Sequence, residues 1–311
     1  MSAACAAPAA ANAAAVEVDP ACALCGERAR RLRFRAGPHS VVTCRACDLT
    51  YVTPRLEPEA LLQQVYDASY WSSPAPRERG YGDYLGDAQL YRATFERRLH
   101  ALTRYLPSAG RALDVGCGSG QFLQALRDAG WQVAGIEPSA RARAAAAAQL
   151  GAGVVSPGTL AESAFAPASF DLVTFWDVLE HLPDPLAALR RARDLLAPGG
   201  RLAVETQDVK SLAARLLGRR WHHYKHAEHL LHFHRGTLRR ALRASGFEPL
   251  SMRAGPGGKF VSRAFLIERS ARLAPALPGV LKRLERLLPE VVWVDLRDEI
   301  VCVARPSEER A

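Results

Sequence analysis

No apolar run in this 311-residue chain approaches the roughly 20 residues needed to cross a bilayer, so no membrane-spanning helix is expected. The alanine-rich start, MSAACAAPAAANAAAVEVD, lacks the positive n-region and leucine-rich h-region of a secretory signal and the arginines of a transit peptide. Residues 1–20 therefore read as a disordered tail on a cytoplasmic protein. Aspartate is missing from residues 209–289, where seventeen Lys and Arg face four Glu. That segment carries a net +13 while the whole chain is +9, so the rest is acidic at −4. A basic surface of this kind either draws in an anionic ligand or is simply a solvated face. The length and the 49% hydrophobic content suffice for a large α/β core with an appendage.

The run LDVGCGSGQFL (113–123) places Asp114 at the end of a short apolar stretch and glycines at 116, 118 and 120 before a helix-like segment. The order reads as strand, tight turn and helix N-terminus, a place where backbone N–H groups approach a small ligand closely. A dinucleotide fingerprint would need its last glycine at position 121, which is Gln, so NAD and FAD are disfavoured. Three further segments follow. WQVAGIEPS (131–139) ends an alternating strand in Glu137, whose carboxylate suits a ribose diol. SFDLVTFWDVLEHLPDP (169–185) is a strand followed by Trp176, Asp177, Glu180 and His181, and LLAPGGRLAVETQD (195–208) is a helix end, a Gly-Gly turn and a fifth strand.

Together these four segments, about 100 residues, resemble the class I S-adenosylmethionine (SAM) dependent methyltransferases. The resemblance implies an α/β, Rossmann-like seven-stranded sheet whose last strand, 299–304, inserts antiparallel. It also implies a SAM site built from Asp114, Gly116, Gly118, Gly120, Glu137, Thr159, Leu160, Trp176 and Asp177. The stretch 151–165 lacks the acidic residue that many members set against the adenine amino group; Thr159 and Leu160 stand near that position instead.

Seven cysteines are present, and four form CALC (22–25) and CRAC (44–47), eighteen residues apart. That spacing predicts a structural zinc held by Cys22, Cys25, Cys44 and Cys47, a closed site without an open position for catalysis. A ribbon of this size cannot fold on its own apolar core, and it serves either as a clamp or as a platform over the substrate. The sequence thus divides into a tail (1–20), a zinc ribbon (21–56), a helical linker and cap (57–107), a SAM-binding core (108–254), an amphipathic helical insertion (255–297) and a final strand with tail (298–311). Within the linker, Leu90, Phe95, Leu99, Leu102 and Leu106 recur at helical spacing before Pro107.

Methyl transfer to a hydroxyl needs a base, and a neutral imidazole suits it. His181, after the fourth strand, and His229, in the histidine-rich run 221–238, are the two candidates; each is equally readable as a hydrogen-bonded structural histidine. His222, His226 and His229 would share one face if that run were helical, a conceivable metal site. Asp177, Glu180 and His181 also resemble the group that holds a divalent ion in ubiquinone-pathway O-methyltransferases, so magnesium is an option, though the same motif occurs in relatives thought to need no metal. In the family, a Ser or Thr caps the helix after Phe233, where this chain has His234. In the insertion, Val280, Leu281, Leu284, Leu287 and Leu288 lie beside Lys282, Arg283 and Arg286, a pattern that either caps the active site or rests on an anionic membrane. The reading is an O-methyltransferase for a small-molecule or sugar acceptor, anionic or lipid-linked. Its rivals are an rRNA methyltransferase, disfavoured because no RNA-reading motif interleaves the basic segment, and a non-enzymatic zinc-ribbon adaptor.

Overall fold

A computed structural model describes residues 17–64, 68–73, 84–253, 255, 257–271 and 274–308. The expected tail lies almost wholly outside the described residues, as does Cys5.

The centre is a seven-stranded sheet ordered Phe247–Ser251, Glu299–Pro306, Leu196–Gln207, Phe170–Trp176, Arg111–Val115, Gln132–Ile136, Val155–Ser156. Only Glu299–Pro306 runs against its neighbours, as expected. Strand order reverses between Arg111–Val115 and Phe170–Trp176, and a crevice opens at the carboxyl ends of the strands at such a point. The central strands are apolar on both faces because helices cover both: Leu113, Leu172, Val173, Phe175 and Leu202 are each fully buried. Each such side chain contributes about 1.5–3 kcal/mol of burial.

Local chemistry starts the helices where the site needs them. Ser139 accepts a hydrogen bond from the Ala142 amide at 3.4 Å at the head of Ala140–Leu150. Asp184 accepts from Ala187 at 2.9 Å, with Pro185 at the first position of Pro185–Leu195. The uncertain cap resolves in favour of His234. Its Nδ1 accepts from the Gly236 amide at 3.1 Å while Thr237 Oγ1 accepts from the His234 amide at 2.9 Å, so imidazole takes the place of a hydroxyl in a capping box. The linker helix forms over Ala88–Leu102 and tightens through Thr103–Tyr105 before Pro107.

The ribbon is a sheet of Arg30–Ala36, His39–Cys44 and Thr50–Thr53, and its fourth strand is Leu231–His232 from the segment after the fifth core strand. The Val52 amide donates to Leu230 O at 2.9 Å. Ribbon side chains (Leu24, Val42, Leu49, Tyr51) join those of the main sheet (Leu230, Leu231, Phe233, Val204) in one continuous core.

The run 221–230 is a series of turns, not a helix, so His222, His226 and His229 do not share a helical face. His226 instead packs its ring on Phe34 and Tyr224. The insertion contains helices Arg263–Ser270 and Leu277–Arg283, but they are carried by a hairpin of Lys259–Ser262 and Val291–Val294 that sequence periodicity did not reveal. Val280, Leu284 and Leu287 face solvent. Among the described residues no helix is long and apolar enough to cross a membrane.

Candidate active site

The glycine turn follows the strand Arg111–Val115 and leads into the helix Gln121–Asp128. Gly116 and Gly118 adopt φ of +69° and +54°, and a Cβ would stand 2.6 Å from Val178 Cγ2 at the first and 2.8 Å from the Tyr84 hydroxyl at the second. Both the backbone conformation and the close approach therefore require glycine. Gly116 and Cys117 donate to Ile136 O at 2.8 and 3.1 Å, tying the turn to the next strand.

Two buried carboxylates flank this turn. Asp114, 3% exposed, accepts from Thr174 Oγ1 at 2.6 Å. Glu137, 4% exposed, accepts from the Gly118 amide at 3.0 Å and from the Ser139 amide at 2.8 Å. Burial pushes both carboxyls up to about 7; the Thr174 hydroxyl opposes it at Asp114, and the two amides oppose it at Glu137. A carboxylate offers about four acceptor sites, so the two amides leave Glu137 room for two more donors. Over the turn lie Trp71 and Tyr84, their rings 4.7 Å apart, with Trp71 Nε1 donating to Ser139 Oγ at 2.7 Å.

A cavity of about 490 Å³ joins this cradle to the end of the fourth strand, with Trp176, Asp177, His181, Arg98 and Lys259 on its far wall. Thr159 and Leu160 also line it. Trp176 packs edge-on against Phe122, 4.9 Å between centroids. Asp177 is a non-glycine residue at φ +52°, and its Oδ1 is buried without a hydrogen-bond partner; a strained, unsatisfied carboxylate facing a cavity marks a binding or catalytic position.

His181 is in the cavity wall; His229 is not, and its ring stands perpendicular to that of His181 at 4.7 Å. His229 Nδ1 lies 2.7 Å from His223 O, which fixes the proton on Nδ1 and makes Nε2 the acceptor nitrogen. Burial lowers the pKa of both imidazoles, so both are neutral near pH 7.

Sequence reasoning missed several residues that build this site. Arg98, on the linker helix, forms a buried ion pair with Glu205 and lies over the Trp176 ring at 5.4 Å. Glu228, fully buried, forms an ion pair with Lys225 Nζ at 2.8 Å beside His229. Tyr84 and Trp71 belong to a linker whose irregular aromatic spacing has no helical period. Of the basic segment 209–289, only Lys259 lines the cavity among the described residues.

A methyltransferase-domain family model matches residues 87–252, just over half of the chain. The chain belongs to the methyltransferase-domain family. This methyltransferase domain is 39% identical over 138 residues to the ubiquinone biosynthesis O-methyltransferase of Xanthomonas campestris pv. campestris, covering 39% of this chain and 56% of that protein. It is 41% identical over 115 residues to the enzyme of the same name from Ralstonia nicotianae, covering 35% and 48%. The chain thus spans about half the length of the curated relatives it matches. A Pyrococcus horikoshii protein of known crystal structure superposes with a TM-score of 0.50 at 17% identity, covering 77% of this chain and 99% of that one, which shows the fold. The Rossmann-like, class I methyltransferase architecture expected from the four segments is therefore shown.

The residues of this methyltransferase domain fit SAM: a cradle that a Cβ would fill at Gly116 and Gly118, two unfilled acceptor sites on Glu137, and the orphaned Asp177 Oδ1. The ribbon cysteines converge as well. Cys22 and Cys47 Sγ lie 3.3 Å apart and Cys25 and Cys44 Sγ 3.5 Å apart, with all four within 4.8 Å of one another. Thiolates at about 2.3 Å from one tetrahedral ion stand about 3.8 Å apart, so this set fits zinc. Each Cys-x-x-Cys turn is followed by a left-handed residue, Gly26 at φ +72° and Asp48 at +66°.

Magnesium fits less well. The atoms that converge are those of Glu180, His181 and His229, while Asp177 stands outside the group. Glu180 is fully buried and accepts from Thr206 Oγ1 at 2.8 Å. Two imidazoles and one carboxylate are a poor set for a hard ion that demands oxygen ligands.

Proposed function

We propose that the chain is a SAM-dependent O-methyltransferase acting on a hydroxyl of an anionic small-molecule or sugar acceptor, with the four-cysteine ribbon held by structural zinc. The observation that carries this reading is the single cavity that runs from the Asp114, Gly118 and Glu137 cradle to the neutral imidazole of His181. The names of the ubiquinone biosynthesis O-methyltransferase relatives support a hydroxyl acceptor.

When bound, SAM would supply an electrophilic methyl carbon on a sulfonium: the acceptor oxygen would bond to that carbon as the carbon–sulfur bond breaks and the sulfur leaves as a neutral thioether. Glu137 would accept the ribose diol through its two free acceptor sites, and Asp114 would add negative charge beside the glycine turn. Trp71 and Tyr84 close the cradle and exclude water. His181, in the cavity wall, would take the acceptor's hydroxyl proton, with His229 perpendicular to it and held in one tautomer by His223 O. Lys259 and Arg98 supply positive charge to the same wall, although Arg98 is already paired with Glu205. The domain boundaries at 21–56, 57–107, 108–254, 255–297 and 298–311 are proposed on the same basis, the linker forming the cover of the cavity. A cytoplasmic location is proposed with them.

Incubation of the purified chain with methyl-labelled SAM and fractionated metabolite extract tests this reading. Label in a small acidic metabolite is the expected result. Label in RNA would favour the rRNA alternative, and no SAM binding at high micromolar concentration would leave only an adaptor role.

A further inference from the structure

The turns that follow the fifth core strand bring two consecutive histidines against the start of the last strand. Trp221, fully buried, donates from Nε1 to Asp298 Oδ2 at 2.7 Å and so fixes both the loop and that carboxylate. His222 Nε2 then stands 3.6 Å from Asp298 Oδ2, and His223 Nε2 stands 3.8 Å from it. His223 Nε2 is also 3.8 Å from Glu299 Oε1. These separations are too long for hydrogen bonds. They are close to the spacing of about 3.3 Å that nitrogen and oxygen ligands keep around one tetrahedral ion at about 2.0–2.1 Å.

A second observation points the same way. The His223 side chain is 9% exposed and its Nε2 has no hydrogen-bond partner, although it is directed at two carboxylates. A buried imidazole nitrogen of this kind is rarely left unsatisfied. We infer that His222, His223 and Asp298, whose ligand atoms lie within 4.8 Å of one another, form a binding site for a zinc-class divalent ion that pins the 221–223 loop to the head of the last strand, with Glu299 beside it.

Two imidazoles with carboxylate oxygens suit zinc, cobalt or nickel, and not magnesium or calcium. His222, 31% exposed, gives the ion access from solvent. The Trp221 N–H on Asp298 is the outer partner that orients a ligating carboxylate. Arg98, paired with Glu205 and 3.7 Å from Glu299 Oε2, and Lys259 of the hairpin act against a cation here, so the ion is held by the two neutral imidazoles and Asp298. The site adjoins His229, whose Nδ1 meets His223 O at 2.7 Å, but it shares no ligand atom with the ribbon cysteines or with the proposed base, so it goes beyond the proposed reaction.

Metal content tests this without reference to activity. The full chain is stripped by chelator, re-equilibrated with Zn²⁺ and analysed by mass spectrometry alongside His222→Gln and Asp298→Asn, with circular dichroism to verify folding. Each variant should hold one zinc fewer per chain than the wild type, whether or not the ribbon is loaded. Titration of the wild type with Co²⁺ alone provides a readout that needs no variant: one cobalt should bind without a thiolate-to-metal charge-transfer band. Equal zinc content in wild type and folded His222→Gln, or a wild type in which every bound cobalt shows that band, overturns the inference.

Discussion

Glu137 gives a prediction whose size follows from its surroundings. Burial holds its carboxyl near pH 7, and the proposed contact with the ribose diol needs the ionised form. At pH 6 about a tenth of the groups are ionised and at pH 8 about nine-tenths, and apparent affinity scales with the competent fraction. SAM should therefore bind about 10-fold more tightly at pH 8 than at pH 6 from this group alone, with Asp114, also near 7, adding to the slope in the same direction. In Glu137→Gln the amide keeps one acceptor but turns an NH₂ toward the Gly118 or Ser139 amide. Losing one charge-assisted hydrogen bond costs about 1.5–3 kcal/mol, or roughly 10- to 150-fold in Kd at pH 8. The variant should lose the Glu137 share of the pH slope. The same raised carboxyl pKa values set the sign for the free protein: their contribution to stability is complete below about pH 4 and is lost as the pH rises through about 7. Isothermal titration at pH 6, 7 and 8 on both proteins is the assay. A wild-type affinity that is flat with pH, or a Glu137→Gln slope equal to that of the wild type, would refute the reasoning.

Replacement of His181 by Ala should lower kcat by about 10²- to 10⁴-fold with SAM affinity unchanged. Since burial lowers the pKa of His181 and His229, the acidic limb of the wild-type kcat profile should fall below pH 6.5, and a limb above 6.5 would count against either imidazole as base. Arg98→Met leaves Glu205 and Glu299 buried without their cation, and a loss of about 3–5 kcal/mol is expected in the denaturant midpoint. His234→Ala removes a helix cap and should cost about 1 kcal/mol by the same measurement. Removing the ribbon ion by chelation should lower the melting temperature, each kcal/mol lost moving it by about 2–4 °C, and the ribbon should become the first site of proteolysis.

The core sheet was legible because each of its strands is short, apolar and followed by a diagnostic polar residue or glycine; Asp114, Glu137 and Asp177 each sit where a strand ends. Thr159 and Leu160 were placed by position alone, and both line the cavity. What escaped was whatever depends on distant pairing. Leu231–His232 has only two residues in its strand, too short for any period to register, and its partner lies about 180 positions earlier. The hairpin of Lys259–Ser262 and Val291–Val294 is hidden by the helices between its strands. The histidine run misled for a related reason: helical spacing of 222, 226 and 229 is a statement about sequence, but Trp221 and the Asp298 carboxylate hold the chain in turns. Arg98 reads as a surface charge on an amphipathic helix, and only the sheet shows that it faces Glu205.

The ribbon's edge strand has a practical meaning for anyone who handles this chain. Because Leu231–His232 completes the ribbon sheet two residues after His229, the ribbon cannot be trimmed off as a detachable tag. A truncation starting near residue 57 would strip that short strand of its hydrogen-bonding neighbour and strand Leu230, Leu231 and Phe233 at a raw apolar surface. Expression trials of such a core fragment should yield aggregates, whereas an internal cut among residues distant from this seam leaves the two halves stitched together.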